Sequence, residues 1–242
     1  MGLKQATAIT AILVSPLAAA DARDWEGEAE LGVLKTTGNT EETNVNGRLG
    51  LIHEVTEWRN SGDFRSVYSE AEDETTAERY RAELETNYKF DEHQYLFLRG
   101  GYEDDRFSGY DFQSSATAGY GNRFLNWNDR TFLDLSAGLG YRFNKLEEPD
   151  EDGSREEEEA IARLAAQFDY GISETSLFRQ KLSSEIGLDE NNVITESETS
   201  IQASIVGNLS MKVAYRVKHV SDAPPESDDT DTETSISVLY GF

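Results

Sequence analysis

The sequence has no cysteine, which removes disulfide stapling and thiolate metal sites. Stability must then come from a core or from a closed, hydrogen-bonded sheet. Beyond the N-terminal segment there is no run of 18 or more apolar residues, so no transmembrane helix is available. Histidine is scarce: His53, His93 and His219 are the only three, and no pair has zinc-ligand spacing. No glycine-rich phosphate loop occurs. Basic side chains are few, 22 against 47 acidic ones, for a formal net charge of −25. That balance excludes nucleic acid as a partner, because binding phosphates takes basic patches.

The mean hydropathy of −0.62 also excludes a helical membrane protein. It says little about a β-barrel, in which only alternate strand residues meet lipid. The first twenty residues read as an export signal. Lys4 supplies the positive region, Ala6 to Val14 a short apolar stretch, and Ala18, Ala19 and Ala20 a small-residue cleavage site. Residues 1–20 are therefore expected to be removed, leaving 21–242 as a single domain.

That domain divides into about twelve alternating stretches. The first sets Trp25, Gly27, Ala29, Leu31 and Val33 against Glu26, Glu28 and Glu30. The cleanest sets Tyr80, Ala82, Leu84, Thr86 and Tyr88 against Arg79, Arg81, Glu83 and Glu85. The last, residues 235–242, carries Ile236, Val238, Tyr240 and Phe242 on one face. Alone, it could be the edge of a soluble sandwich or the closing strand of an outer-membrane barrel. The latter kind is read by the assembly machinery of Gram-negative envelopes. Two asymmetries favour the barrel. Every second connection is a short turn, while the others are longer and acidic. Trp25, Trp58, Trp127 and the terminal Phe242 fall beside the short turns, where an aromatic membrane-interface girdle belongs. The expected fold is all-β: a transmembrane, antiparallel, up-and-down barrel in an outer membrane, with lipid as its surroundings.

The opposite parity defines a lumen. It collects Glu28, Arg48, Arg81, Glu83, Arg99 and Arg123 from the first half of the chain. From the second half it collects Asp134, Arg142, Arg163, Arg179, Glu185 and Arg216. With both signs present, two readings stand: a salt-bridged, occluded interior or a narrow path for ions or small solutes. Acidic runs at 147–159, 222–233 and 70–78 are expected to form a solvated outer rim that attracts cations, divalent ones weakly. Within the first run, Glu148, Asp150, Asp152 and Glu159 fall on ligand positions of a calcium-loop pattern, although no flanking helices are readable. No bound cofactor is otherwise expected. Nor is an enzyme: His219, with Ser221 and Asp222 beside it, is in register with the lipid-facing residues Met211 to Val217.

Three stretches carry a family resemblance. They are 32–44 with Thr37, Gly38, Asn39 and Thr40; 102–111, reading YEDDRFSGYD; and 119–124, reading GYGNRF, followed by LDLSAGLGYR at 133–142. In this order they resemble the salt-induced outer-membrane protein family, also catalogued as a domain of unknown function. The resemblance implies one outer-membrane barrel and a role in adapting the envelope to salt or osmotic stress. It implies no catalytic set.

Overall fold

The computed structural model describes residues 24–36, 42–71, 74–128, 130–149, 153–189, 192–224 and 227–242. The expected export signal at 1–20, the motif at 37–40, and Asp150 and Asp152 lie outside the described residues. Twelve strands follow one another: β1 (Trp25–Thr36), β2 (Glu42–Glu54), β3 (Trp58–Ala71), β4 (Glu74–Lys89), β5 (Gln94–Asp105) and β6 (Tyr110–Asn128), then β7 (Thr131–Leu146), β8 (Glu156–Gly171), β9 (Ser176–Gly187), β10 (Val193–Val206), β11 (Leu209–Val220) and β12 (Thr230–Gly241). Each pairs antiparallel with its chain neighbours, and β12 returns to β1, closing an up-and-down barrel. The shortest strands have 12 residues, enough for a tilted strand to cross a bilayer.

The alternation that builds these strands is inverted relative to a soluble protein. Leu31, Leu84, Leu98, Leu139 and Ile236 are each more than half exposed. Glu30, Arg99, Arg142, Glu198 and Lys212 are buried on the opposite face. A sandwich would bury the first set and solvate the second. Closure gives every strand a hydrogen-bonded neighbour on each side, which is what crossing lipid demands of a sheet.

The seam is the shortest pairing. Its register runs from Glu28↔Gly241 to Leu31↔Val238, and Gly27 and Phe242 exchange backbone hydrogen bonds of 2.8 and 2.9 Å just beyond it. The Phe242 ring lies over Gly27, in the space a Cβ would need. Inside, buried Glu30 of β1 accepts hydrogen bonds from Ser237 of β12 and Lys212 of β11.

Several expected loops are strand instead. Glu156 to Glu159 open β8, where Glu159 faces Arg142, Glu157 faces Asn144 and Glu156 faces Lys145. A charge run that looks solvated becomes a strand when its partner supplies the opposite sign. The closing strand likewise begins at Thr230, not at 235, because Asp231 and Glu233 pair with Lys218 and Arg216. Glu70 belongs to β3, and Glu74 and Glu78 to β4. Two irregularities interrupt the β6 register, by one residue near Tyr110 and by two between Phe124 and Asn128. One turns Tyr110 inward, where it is buried. The other, with Leu125 at φ 48°, leaves Trp127 exposed and outside the lining of the lumen.

Candidate functional site

The strand register sets three arginines side by side on the inner wall: Arg48 on β2, Arg65 on β3 and Arg81 on β4. Like charges facing across a ladder repel, so this row stands only because carboxylates interleave it. Arg48 donates to Asp63 at 2.6 Å and to Glu28 at 3.1 Å. Arg65 donates to the other Asp63 oxygen at 2.7 Å and reaches Glu198 of β10 at 3.0 Å. Arg81 donates to Glu83 and Glu196, each at 2.6 Å, and to Glu103 at 3.2 Å.

Because Glu196 and Glu198 sit on β10, these bonds span the lumen. Others do so too. Arg79 of β4 meets Glu233 of β12 at 2.6 Å. Arg99 of β5 meets Glu185 of β9 at 3.4 Å and Glu83 at 2.9 Å. Lys218 of β11 bonds Glu103 of β5 and, at 2.9 Å, Gln113 of β6. Glu198 collects Arg216 at 2.8 Å and Lys212 at 3.3 Å as well. The result is a belt of charge pairs strung across the barrel. Charges out of bulk water need such pairing, since an unpaired one is costly to bury.

The lumen is not filled evenly. On β6 and β7 the inward positions Gly119, Gly121, Gly138 and Gly140 leave no room for a Cβ. The Tyr95 ring lies against Gly121 and the Phe97 ring against Gly138. This explains why β5 reads ambiguously in sequence: both its faces carry large apolar residues, with Tyr95 and Phe97 inside and Leu96 and Leu98 outside. Tyr95 donates to Asp134 at 2.5 Å, and the Arg123 guanidinium sits 4.1 Å over the Phe132 ring. Towards the long loops, buried Arg142 bonds buried Glu159 at 2.7 Å, and Thr117 and Ile161, also buried, flank Gly140 on the neighbouring strands. The remaining space is a cavity of about 1590 Å³. Its lining includes Arg59, Glu92 and His93 near the short turns, and Asn44, Ser69 and Asp231 near the long loops.

Of the residues expected in the lumen, Glu28, Arg48, Arg81, Glu83, Arg99, Arg123, Asp134, Arg163, Arg179 and Arg216 line the cavity, while Glu185 meets Arg99 and Arg142 is buried against Glu159. Missed were Glu103, Glu196, Glu198 and Glu233. Parity carried on from Arg99, and from Ser235 and Ser237, would have found Glu103 and Glu233. Parity carried back from the outward Thr199 and Ile201 of β10 would likewise have found Glu196 and Glu198. Glu159, the last calcium-loop candidate, sits inside β8 with its carboxylate on Arg142, far from a loop's open geometry, while Glu148 is exposed in the 147–149 stretch. Among the described residues no group of three or more His, Asp and Glu is arranged to hold a metal ion.

His219 Nδ1 is 2.9 Å from Thr230 Oγ1, which donates to Asp229 at 3.0 Å; Ser221 instead accepts from the Val193 N–H at 2.8 Å. Trp25, Trp58 and Phe242 are exposed at the short-turn end, as is Trp127. Trp25 packs on His53 at 4.6 Å and Trp58 on Tyr88 at 5.1 Å. At the same end the turn after β4 is fastened by Asp91, whose carboxylate accepts the His93 and Gln94 N–H groups at 2.8 Å each. The His93 N–H, then that of Gln94, holds this exposed carboxyl below the usual Asp range.

The family model for "Protein of unknown function, DUF481" matches residues 29–242. The chain belongs to the DUF481 family. The uncharacterized protein YdiY of Escherichia coli (strain K12) is 26% identical to this DUF481 chain over 224 residues, covering 91% of it and 84% of YdiY. Three solved barrels are similar to it in fold. The translocator domain of the autotransporter NalP from Neisseria meningitidis matches with a TM-score of 0.53 and 10% identity, over 90% of this chain and 87% of that one. The NanC porin matches at 0.53 and 11%, over 89% and 98%. The COG4313 outer membrane channel from Pseudomonas putida F1 matches at 0.51 and 10%, over 90% and 95%. At these identities the likeness concerns the fold: this DUF481 protein is a β-barrel of the outer-membrane type.

Proposed function

We propose that the barrel is a narrow channel for ions or small solutes in the outer membrane of a Gram-negative bacterium. The observation that carries this reading is the cavity lined by charged side chains from the short-turn end to the long-loop end. The likeness in fold to a porin and an outer membrane channel supports it. The exposed carboxylates Glu147, Glu148, Asp228 and Asp229 at the long-loop end would concentrate cations there, which favours cations at that mouth. In the lumen itself most charges of both signs are paired, so the belt limits width and the mouth sets preference. The resemblance to the salt-induced family supports a role in envelope adaptation to salt or osmotic stress, with the last strand as the signal for barrel assembly. No step of this function requires catalysis or a cofactor.

A second reading has its own observation. The cross-lumen pairs of Arg65, Arg79, Arg81 and Arg99 could hold the belt shut and make the barrel a non-conducting structural element. Planar-bilayer recordings on refolded protein separate the two. The channel reading expects current steps, and Arg81→Ala, which frees Glu83, Glu103 and Glu196 from their shared cation, should raise unit conductance about twofold or more. Silence across a wide salt range in both proteins would leave the structural barrel.

A further inference from the structure

Most basic groups of the lumen are matched to carboxylates; Arg130 donates to backbone carbonyls instead, and one basic group has neither kind of partner. Among the described residues Lys181 forms no ion pair, and its ammonium makes no hydrogen bond. Its neighbours deepen the imbalance. A side pocket of about 10 Å³ opens off the main cavity in the short-turn half of the barrel, and Arg48, Arg65, Arg179, Lys181 and Lys212 line it. Four of these, all but Lys212, also line the main cavity, so the pocket is reached from the lumen.

Two carboxylates share the lining, and both are already committed. Glu28 accepts from Arg48, and Glu198 is held by Arg65, Arg216 and Lys212. The arginines retain donors, because a guanidinium has five. Arg48 and Arg65 each use Nε and Nη1 on carboxylates, leaving Nη2; Arg179 spends Nε and Nη2 on Asp169, leaving Nη1. The side pocket itself has room for about one water, but its free ammonium and three part-used guanidiniums also border the main cavity, and at that mouth they form a cradle for a single negatively charged head group. Forked guanidinium donors favour planar or tetrahedral oxyanions over a spherical ion.

We propose that the mouth of this pocket, where it opens into the main cavity, binds the oxyanion head group, carboxylate or phosphate-like, of a small solute in the lumen, with Lys181 as the group that makes the site cationic. The proposal rests on the lumen being open to solutes, and it makes the short-turn half of the proposed channel a recognition site for anions beneath an acidic mouth.

Sulfate, whose charge is constant near neutral pH, is the probe. Calorimetry on the folded full barrel in detergent should detect sulfate binding, and chloride should compete with it poorly. Lys181→Met should weaken sulfate at least tenfold, about the contribution of one charge-assisted contact. Lys181→Arg should stay within about threefold of the parent, a difference too small to mark a lost contact. Folding of each variant is checked by its far-UV circular dichroism and heat-dependent gel mobility. No sulfate binding by the parent, or equal binding by the folded Lys181→Met barrel, overturns the site. In bilayers the two proposals separate. Binding without any current keeps the anion site and removes the channel; current steps that sulfate leaves unchanged, with no binding, do the reverse.

Discussion

The inner walls of β2–β4 and of β6–β8 belong to one closed sheet, and their outer faces carry the same alternating apolar residues. Inside they differ. On β2–β4 long charged side chains stand off the wall and meet carboxylates part-way across the lumen, so space remains between them. On β6 and β7 a row of glycines lets aromatic rings lie flat against the backbone, and Arg142 and Glu159 are sealed in above them. The contrast teaches that strand number alone does not set the bore of a barrel this size. The size of the inward side chain, from Gly119 to Arg81, does so locally.

The largest expected effect tests whether the sealed wall behaves as a core. Side chains of the Arg142–Glu159 pair are 3% and 5% exposed, against 15% and 41% for Arg48–Glu28. Glu159→Gln, which strands a buried guanidinium, should cost about 3–5 kcal/mol in urea unfolding of the lipid-embedded barrel. Glu28→Gln, on the open wall, should cost at most about 1 kcal/mol. Equal losses would mean that the two walls do not differ in this way.

Glycine substitutions give a smaller test of the same contrast. A Cβ at Gly119 would run into the Ala137 carbonyl and the Gly138 backbone, which cannot step aside. Gly119→Ala should therefore cost about 1–3 kcal/mol by overpacking. At Gly50 the nearest atom is the far end of the Arg48 side chain, at 3.0 Å, and Gly50→Ala should stay within about 0.5 kcal/mol. Unfolding midpoints of the two variants, measured side by side, decide it.

The smallest expected effect lies outside both walls and serves as their reference. The Asp91 carboxyl is held below its ordinary value, so its help to the turn is fully present above the unfolded pKa of about 3.9. It is lost as pH falls through the lower folded value. Asp91→Asn should speed amide exchange of His93 and Gln94 at neutral pH and leave that of the barrel strands unchanged; a barrel-wide change would show the turn to be coupled to the lumen.

Much of this was legible in the sequence, because alternation is a local property. Arg79, Arg81, Glu83 and Glu85 name their own face, and so do Ile236, Val238 and Tyr240. Pairing across the lumen is not local. Arg65 and Glu198 are 133 positions apart, and no periodicity on β10 points to the cation that Glu198 will meet. Acidic runs also mislead: Glu156 to Glu159 look solvated until Arg142 and Lys145 are found opposite them. Bulges hide for another reason. Around the left-handed Leu125 the ladder slips by two residues between Phe124 and Asn128, so counting by twos from Phe124 would send Trp127 inward.

The ring has a mechanical consequence at its seam. Eleven of the twelve pairings join strands adjacent in the chain and can form as successive hairpins. The twelfth unites residues more than two hundred positions apart, Glu28 with Gly241 among them, and its loop-closure entropy is paid in one step. Until then the edges of β1 and β12 hold unsatisfied amides that a bilayer does not tolerate. Insertion and closure are therefore coupled into one cooperative event, and the Phe242 ring settling over Gly27 is the latch that ends it.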